Sequence, residues 1–505
     1  MPRPIVVAHS FFLAFDAKQT QKMKPYPPLA TLYVAAGLRA AGHAVTVFDA
    51  MLARGEHEFD ALIAQVQPAV VVLYEDNFNF LSKMCLSRMR EAALAMAASA
   101  RSVGATVIAS GSDVTDHPDV YLAAGVDYAA LGEGDHIISE LIDWLDAGAV
   151  GNPLHISGVA FRNPDCTIVR TGTRRNERHP DVFTHPARDL VDINRYRQLW
   201  LSHHGHFSLN MVSTRGCPFH CNWCAKPIWG QRYAMRSPHD VATELADVKA
   251  QFAPDHIWFA DDIFGLRTDW VAEFAARVIE LDAVVPFTIQ SRCDLMTHEA
   301  VAGLARAGCC EVWMGAESGS QRVLDAMDKG TSTDEIRSAR RALGDAGIRA
   351  SFFVQFGYPG ETWTDIELTI DMIRELLPDD IGISVSYPLP GTRFHSMVVD
   401  DLDAEANWQQ SNDLQMMFRG TYTTAFYRQL HLALHDDLQV RRRERGLDFS
   451  GHPSLAAVTL DEQRRRVVDA WGAVADLERT CRNTRPTLLL RSAPLAAPDL
   501  SLTYN

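Results

Sequence analysis

The chain has 505 residues, of which 47% are hydrophobic and 22% are charged, and its formal net charge is −15. This length exceeds what one hydrophobic core usually serves, so two or three globular domains are expected. The acidic balance argues against a surface that coats nucleic acid, and no apolar run reaches the ~20 residues that cross a bilayer, so neither a nucleic-acid partner nor a membrane span is expected.

The first 150 residues alternate between strand and helix patterns. Apolar runs predict strands at 4–8, 44–48, 69–73, 106–109 and 126–131, and helical periodicity predicts helices at 29–41 and 89–103. Strands that alternate with helices form parallel sheets covered on both faces. Residues 1–150 are therefore predicted to form an α/β, Rossmann-like, doubly wound sheet.

Polar and glycine-containing loops follow the third, fourth and fifth of these strands. Sheets of this class bind ligands at the carboxyl ends of their strands, and glycine lets the backbone approach a ligand. A turn requirement explains a glycine after a strand equally well. The candidate ligand-binding residues are Tyr74, Glu75, Asp76, Ser110, Gly111, Ser112, Gly132, Glu133 and Gly134.

Residues 151–205 form a polar stretch rich in Pro, Arg, Asp and His. This composition is typical of a linker between two domains. Within it, residues 159–162 and 167–169 favour a short hairpin.

Three cysteines lie within eight residues, at Cys217, Cys221 and Cys224. A cubane iron–sulfur cluster normally takes four cysteine ligands, so three on one loop would leave one iron open for chemistry. Structural zinc needs a fourth ligand, and His220 is adjacent to Cys221, which makes joint tetrahedral ligation awkward. A disulfide scaffold is disfavoured because the nine cysteines are odd in number and scattered. An open iron–sulfur site is favoured over zinc.

Strand and helix patterns resume between residues 206 and 400, with strands near 207–213, 257–260, 287–290, 312–315, 351–354 and 381–384. These strands predict a partial, TIM-like (β/α)6 barrel. Polar residues follow the strands, on what is the catalytic face of a barrel, although a turn with a helix-capping residue is the alternative at each position. The candidates are Asp261, Asp262, Arg292, Glu317, Ser318, Gly357 and Gly360. For Arg292, a salt bridge to Asp294 is an equally fair interpretation.

Residues 401–505 show helical periodicity at 426–443 and 461–479, followed by an unpatterned tail from Asn483. This region is predicted to form a small helical cap. Trp408, Phe418, Tyr422 and Tyr427 are candidates for a substrate wall, with core packing as the alternative.

The C-x3-C-x2-C motif, with Trp223 just before its last cysteine, resembles the signature of the radical S-adenosylmethionine (SAM) enzymes. The resemblance implies a [4Fe-4S] cluster on Cys217, Cys221 and Cys224, which would be both the catalytic and the metal-binding residues. The free iron would chelate SAM, and reductive cleavage would give a 5′-deoxyadenosyl radical. The implied SAM-binding residues are Trp223 beside the cluster, Asp261 and Asp262 at the amino group, Arg292 at the carboxylate, Glu317 and Ser318 at the ribose, and Gly357 and Gly360 at the adenine.

The first domain resembles the cobalamin-binding domain that precedes the radical SAM core in cobalamin-dependent methylases and in the anaerobic magnesium-protoporphyrin ester cyclase class. The resemblance rests on residues 27–30 at the first helix, 42–43 before the second strand and 131–134 after the fifth. It implies that cobalamin contacts Pro28, Leu29 and the loop residues named above. The Asp-x-His-x-x-Gly pattern that supplies a histidine to cobalt does not occur in residues 10–26, so base-off cobalamin with no histidine ligand is expected.

Together, the two resemblances imply methylation of an unactivated carbon of a small molecule through methylcobalamin, since no side-chain base deprotonates an alkane-like C–H bond. Radical oxidation, cyclisation or rearrangement without methyl transfer is one alternative, and a non-catalytic cobalamin-binding sensor is another. A reducing partner such as flavodoxin or ferredoxin is implied, and a cytoplasmic location suits an oxygen-labile cluster.

Overall fold

The structure is a computed structural model that describes residues 4–83, 87–226, 228–402, 414–447 and 458–480. The predictions for Trp408 and for the tail from Asn483 lie outside these residues. Within the described ranges, no helix is both long enough and apolar enough to cross a membrane.

A seven-stranded sheet occupies the amino-terminal part, in the order β2-β1-β3-β4-β5-β6-β7. The first five strands are parallel, which confirms the predicted doubly wound sheet. The direction of winding reverses between β1 and β3, and ligands bind in the crevice at such a reversal. The strands are Pro4–Ala8 (β1), Ala44–Phe48 (β2), Val70–Tyr74 (β3), Thr106–Ser110 (β4), Tyr128–Ala130 (β5), Val159–Arg162 (β6) and Ile168–Arg170 (β7).

Both faces of this sheet are buried. In β1, Ile5 and Val7 pack into one apolar cluster, and Val6 and Ala8 pack into another. Successive side chains of a strand point to opposite faces, so this all-apolar strand requires helices on both sides. The helices are Ala17–Lys22 (α1), Leu29–Ala40 (α2), Glu56–Val66 (α3), Phe80–Lys83 (α4), Ser87–Ser102 (α5), Ser112–Asp116 (α6), Pro118–Ala123 (α7) and Asp135–Asp146 (α8).

The hairpin inside the expected linker belongs to the first sheet. Strand β6 pairs antiparallel with β5 and with β7. The sheet therefore extends beyond the boundary expected at residue 150, as far as Arg170. A short polar hairpin and a linker have similar compositions, and only the pairing with β5 distinguishes them.

A six-stranded, all-parallel sheet forms the second unit, in the order β8-β11-β12-β13-β14-β15. This succession is that of the predicted partial barrel. A short antiparallel ribbon of β9 and β10 lies between β8 and β11 in the chain and carries the cysteine loop. The strands are Ser208–Met211 (β8), Thr214–Gly216 (β9), Tyr233–Met235 (β10), His256–Phe259 (β11), Phe287–Ser291 (β12), Cys309–Glu317 (β13), Arg349–Phe356 (β14) and Ile381–Val385 (β15).

Alternate residues of the barrel strands point to opposite sides. Val312 and Phe352 pack in the outer apolar core, whereas Thr288, Glu311 and Ser351 are joined by hydrogen bonds on the inner side. The inner side is the barrel lumen. The helices of this unit are Ile193–His204 (α9), Pro238–Phe252 (α10), Thr268–Glu280 (α11), His298–Ala307 (α12), Gln321–Ala326 (α13), Thr333–Asp345 (α14), Trp363–Leu376 (α15) and Arg393–Val398 (α16).

Two long helices, Thr424–Glu444 (α17) and Leu460–Thr480 (α18), form the described part of the predicted helical cap. Trp471 of α18 donates its indole N–H to Asp437 of α17 at 3.2 Å. Asp437 also forms an ion pair with Arg374 of α15 at 2.7 Å, which fastens the cap to the barrel.

Candidate active site

The cysteine loop begins directly after β9. Cys217, Cys221 and Cys224 are half-buried and have free thiols. Lys226 holds the loop from within, since its ammonium donates to the carbonyl oxygens of Cys217 (3.1 Å) and Phe219. Burial raises the pKa of the Cys224 thiol to about 12, and the charges of the other two thiols add to the shift.

The donor set suits a cubane better than a single ion. Within the residues that the structure describes, no three His, Cys, Asp or Glu side chains are grouped so as to hold one metal ion. A cubane needs no such grouping, because each of its protein ligands binds a different iron. Three electrostatically coupled thiols on one loop therefore fit a cluster with one iron left for another ligand.

Asn222, between the second and third cysteines, fastens the loop to the barrel. Its Nδ2 donates to the carbonyl of Ala326 at 2.7 Å, and its backbone N–H donates to that of Met327 at 3.0 Å. Tyr358 donates its hydroxyl to Asn222 Oδ1 at 3.1 Å. Sequence reasoning missed Asn222, because its partners come from distant parts of the chain and the motif gives no sign of them.

The two aspartates after β11 have different surroundings. The Asp261 carboxylate accepts hydrogen bonds from the backbone N–H groups of Ser213 (2.8 Å) and Thr214 (2.6 Å) and from both of their hydroxyls (3.0 and 2.7 Å). Asp261 therefore shapes the segment between β8 and β9 that leads into the cysteine loop. Asp262 is exposed, and its charge adds to the effect of burial in raising the pKa of Cys224. Of the pair, Asp262 is the one that lies near the thiols with a carboxylate accessible to a ligand.

Arg292, after β12, is buried against the cysteine loop. Its guanidinium carbon lies 3.7 Å from the ring centroid of Phe219, between the first two cysteines. The ion pair with Asp294 considered from the sequence is present, at 2.9 Å. Nη1 has no hydrogen-bond partner among the described residues. A buried, unpaired donor on a cation is costly, so this nitrogen suits an anionic ligand.

Glu317 ends β13 with a left-handed backbone (φ 56°) and forms a buried ion pair with Lys329 at 2.7 Å. Burial lowers the pKa of Lys329, but the charges of Glu317 and Cys221 outweigh it and raise the value. Lys329, which sequence reasoning missed, therefore brings a second cation close to the cysteine loop. Ser318 is fully buried, and its hydroxyl oxygen lies 3.1 Å from that of Thr369. Ser318 thus supports the turn after β13 through protein contacts.

Gly357 and Gly360 lie in the loop after β14 and have left-handed backbones (φ 76° and 80°). The Gly357 N–H donates to Glu361 Oε2 at 2.6 Å. A Cβ at Gly357 would lie 3.0 Å from Met416 Sδ, so glycine lets the cap pack closely on this loop. Trp223 packs against the barrel core, and its indole N–H has no partner in the described part of the chain.

Glu361 leads to a prediction about pH. Burial raises the pKa of its carboxyl from 4.5 to about 8. The folded chain keeps this proton where the unfolded chain releases it, so the free energy of unfolding should fall as the pH rises from about 5 to about 8. The Glu361→Gln side chain stays neutral, so the fall in the free energy of unfolding between these two pH values should be smaller by a few kcal/mol in this variant. Urea unfolding across that range measures the difference. Exposed Glu367→Gln is the control. Equal slopes for wild type and Glu361→Gln would contradict the prediction.

Polar side chains gather at the carboxyl ends of β1, β3 and β4. Buried atoms with no hydrogen-bond partner among the described residues include Ser110 Oγ and Ser112 Oγ, both in predicted site residues, and Asn77 Oδ1, in the predicted polar loop after β3. His9 Nδ1 and Ser10 Oγ, which were missed, belong to the same group. Buried polar atoms are normally paired, so this group fits a polar ligand at the crevice. The missed members could be found only once the sheet order brought the strand ends together.

Other predicted residues support this edge from within. Tyr74 donates its hydroxyl to Asp135 at 2.8 Å. Glu75 accepts a hydrogen bond from the Ser10 N–H at 3.1 Å, and Gly111 packs against the Glu75 side chain. Burial raises the pKa of the Glu75 carboxyl.

Asp76 connects the same edge to helix α2. Its Oδ1 accepts the N–H of Ala30 in the first turn of that helix at 3.0 Å. Pro28 and Leu29, which precede Ala30, are buried beside this contact. The predicted residues at 28–29 and 74–76 are therefore neighbours.

Glu133 joins the two units through contacts to both ends of the cysteine loop. Its Oε1 accepts from Arg215 Nη1 at 2.7 Å and from the Trp229 indole N–H at 3.3 Å, and its Oε2 accepts the Glu177 N–H at 2.6 Å. Arg215 also pairs with Asp135 at 3.0 Å. Arg215 precedes and Trp229 follows the cysteines, so one carboxylate of the first sheet clamps the loop. Both Glu133 oxygens are thus engaged by protein, as the sequence did not lead us to expect.

Gly132 and Gly134 flank Glu133. Gly134 packs against Ser110 and Tyr74, and Gly132 approaches the carbonyl of Ile228 near the end of the cysteine loop. The residues predicted at 132–134 therefore lie between the two sheets.

Three of the candidates for a substrate wall lie in the part of the chain that the structure describes, and all three are core residues. Phe418, Tyr422 and Tyr427 are almost fully buried in the apolar core of the barrel and cap. Core packing, the alternative weighed for them, accounts for Phe418 and Tyr422, whereas the buried Tyr427 hydroxyl has no partner among the described residues.

Two family models match the chain. The model of the radical SAM superfamily matches residues 211–373, and that of the B12 binding domain matches residues 24–142. The first covers the cysteine loop and most of the barrel, and the second covers most of the parallel sheet.

Individual relatives match much of the chain. An uncharacterised methyltransferase of Pyrococcus horikoshii is 25% identical over 63% of this chain and 69% of its own length. The anaerobic magnesium-protoporphyrin IX monomethyl ester cyclase of Rubrivivax gelatinosus is 26% identical over 72% of this chain and 65% of its own length.

A solved structure shares the fold. The radical SAM methyltransferase TsrM from Kitasatospora setae, with cobalamin and a [4Fe-4S] cluster bound, superposes with a TM-score of 0.67 at 19% identity, over 79% of this chain and 78% of that one. The chain is therefore an enzyme that carries a B12-binding domain ahead of a radical SAM domain.

Proposed function

We propose that this enzyme methylates a carbon of a small-molecule substrate, using SAM, a [4Fe-4S] cluster and cobalamin. The observation that carries the proposal is the clamp of Glu133 on both ends of the cysteine loop. Through it, the sheet edge that fits cobalamin and the loop that fits the cluster share one buried contact. The Pyrococcus relative and TsrM are methyltransferases by name, which supports methyl transfer over other radical reactions.

In this proposal Cys217, Cys221 and Cys224 hold the cluster, which supplies the electron that cleaves SAM at its open iron. Asp262 accepts charge-assisted hydrogen bonds from the SAM ammonium. Arg292 donates its unpaired Nη1 to the SAM carboxylate, while Asp294 and the Phe219 ring hold its guanidinium in place.

The remaining SAM contacts come from the next two strands. Glu317 accepts hydrogen bonds from the ribose hydroxyls, with Lys329 as its counter-ion. The loop of Gly357 and Gly360 lies beside the adenine, and Trp223 excludes water from the cluster.

Asparagine at each of the two aspartates should separate their roles. Asp262→Asn removes one charge from a ligand contact, so we expect the KM for SAM to rise about tenfold with normal iron content. Asp261→Asn replaces an acceptor of four hydrogen bonds with a partial donor, so iron and sulfide content should fall. Metal analysis and SAM titration of 5′-deoxyadenosine formation measure both effects. Identical defects in the two variants would contradict this division of roles.

Cobalamin, the methyl carrier, would lie at the carboxyl edge of the first sheet, with Ser110, Ser112 and Asn77 as hydrogen-bonding residues. We propose that it binds base-off with no histidine on cobalt. His9 is the histidine at this edge: its Nε2 lies 3.3 Å from the Met51 nitrogen and from Asp49 Oδ1, whereas its Nδ1 has no partner among the described residues, so His9 is the residue on which this proposal is tested.

The cobalt ligand can be tested by electron paramagnetic resonance of protein loaded with cob(II)alamin. We expect a spectrum without nitrogen splitting, identical in wild type and His9→Ala. A nitrogen triplet that disappears in His9→Ala would show that histidine binds cobalt after all.

The match to the anaerobic cyclase favours a second candidate, radical oxidation or cyclisation without methyl transfer. In either case a one-electron donor protein such as flavodoxin or ferredoxin is the reducing partner that we propose.

The decisive experiment uses anaerobically reconstituted protein with cobalamin, a chemical reductant and SAM that carries a deuterated methyl group. We expect S-adenosylhomocysteine and 5′-deoxyadenosine together, with the deuterated methyl group recovered on cobalamin. A sample without cobalamin is the control for the methyl transfer. 5′-Deoxyadenosine alone, with unlabelled cobalamin, would favour the second candidate. If neither product forms, only the non-catalytic cobalamin-binding sensor remains.

A further inference from the structure

The floor of the barrel lumen is closed by a chain of hydrogen bonds. The Tyr26 hydroxyl lies 3.0 Å from Ser208 Oγ, which lies 2.8 Å from His256 Nδ1. His256 Nε2 continues the chain to Thr288 Oγ1 at 2.9 Å. These contacts fix which side chains of β8, β11 and β12 point inward, and they seal the amino-terminal end of the barrel.

The next layer of the lumen is open and aromatic. Trp258, Trp313 and Phe353 alternate with residues of the outer core, so they lie on the inner side, yet all three are only half-buried. The interior of a full barrel is filled by packed side chains, so accessible rings inside this one line a space that admits a ligand. The Trp313 and Phe353 rings form a continuous wall, with centroids 4.9 Å apart.

A glycine lets the two rings lie close to β15. The Trp313 and Phe353 rings pack on Gly382, where a Cβ would come within 3.1 Å of the Phe353 ring and 3.3 Å of the Trp313 ring. Both contacts are tighter than ordinary van der Waals distance, so a larger residue would push the rings into the lumen.

The same layer offers hydrogen-bonding groups. Within the described ranges, no hydrogen bond involves the indole N–H of Trp258 or Trp313 or the side-chain amide of Gln290, which lies on the strand between them. Gln355 Oε1 is buried and has no partner there either. Two ring N–H donors beside an amide suit a ligand that carries an acceptor atom on or near an aromatic ring.

This layer lies next to the proposed SAM residues. Gln290 lies two residues before Arg292, which directly follows β12, and Trp313 lies two residues before Gly315 of β13, where a Cβ would come within 2.7 Å of Glu317 Oε1. Two residues along a strand span about 6.6 Å. A substrate in the aromatic layer would therefore be within one or two strand steps of the groups that hold SAM.

We infer that the substrate is a planar, aromatic small molecule with a hydrogen-bond acceptor, bound in the lumen against Trp258, Trp313 and Phe353. The inference deepens the proposed function and rests on it for the reaction. The binding itself requires only the folded barrel.

The test compares two ketones of the same size, acetophenone and cyclohexyl methyl ketone, by ligand-observed NMR titration of the full chain. We expect wild type to bind acetophenone about two- to tenfold more tightly, the range that an aromatic pair adds beyond buried area. Trp313→Leu and Phe353→Leu should each lose this preference, and Gly382→Val should exclude both ketones.

Trp144→Leu is the matched control. Trp144 is also half-buried, and it packs edge-on to an aromatic ring, Tyr128, at 5.6 Å, but it belongs to the first sheet. This variant should keep the wild-type preference. Equal binding of the two ketones by wild type, or equal loss of preference in Trp313→Leu and Trp144→Leu, would overturn the inference.

SAM cleavage is measured on the same samples, so failure of the aromatic-substrate inference can be distinguished from failure of the proposed reaction. Cleavage without the ketone preference overturns only the aromatic substrate. Ketone preference without cleavage overturns the proposed reaction and supports the aromatic site.

Discussion

Serine in place of any one of Cys217, Cys221 and Cys224 is expected to reduce SAM cleavage by more than about a hundredfold. Loss of an outer partner of a metal ligand already costs about 10- to 100-fold in affinity or activity, and loss of a direct ligand should cost more. The three thiols lie on one loop; His220 is adjacent to Cys221, and the Cys293 thiol is buried against the carbonyl of Gly315, so neither is placed to replace a lost thiolate. Iron, sulfide and 5′-deoxyadenosine are measured on each variant.

Cys310→Ser is the control for that result. Cys310 is also a half-buried free thiol, but it lies near the start of β13, where it contacts the carbonyl of Phe287. This variant should keep its iron and its activity. Full activity in a loop variant, or zinc without sulfide in the wild type, would contradict the cluster assignment.

Arg215→Ala is expected to destabilise the fold by about 3–5 kcal/mol, the cost of breaking a buried ion pair. Arg215 is 5% exposed and pairs with Glu133 (4%) and Asp135 (9%), so its loss leaves two buried carboxylates without their cation. Because it also precedes the cysteines, cluster content should fall with stability. Denaturant unfolding and iron analysis measure the two effects.

Arg39→Ala provides the comparison for Arg215. The Arg39–Asp189 pair is short, but its side chains are 44% and 61% exposed. Exposed pairs contribute about 0–1 kcal/mol, so this variant should unfold much like wild type. Equal losses in Arg39→Ala and Arg215→Ala would show that the contact between the two units carries no special stability.

The strands of both sheets could be predicted from the sequence because their signal is local. Residues 4–8 and 70–73 are continuous apolar runs, and a strand buried on both faces needs that pattern. The hairpin at 159–170 has no such run, so its pairing with β5 could not be predicted from its own residues.

Which polar residue meets a ligand and which supports the fold depends on distant contacts. Asp261 and Asp262 are adjacent and chemically identical, and only the position of Ser213 and Thr214 separates their roles. Lys329 and Asn222 lie outside the sequence patterns that predicted the site. Lys329 matters because the fold brings it to Glu317, and Asn222 because the fold brings it to Ala326. The cysteines could be predicted because their spacing is itself the signal.

Electron paramagnetic resonance of the reduced cluster, recorded before and after addition of SAM, tests the central claim most directly. If three thiols hold the cluster and leave one iron open, SAM binds that iron and the spectrum of the reduced protein changes. A cluster spectrum that SAM leaves unaltered would contradict the account.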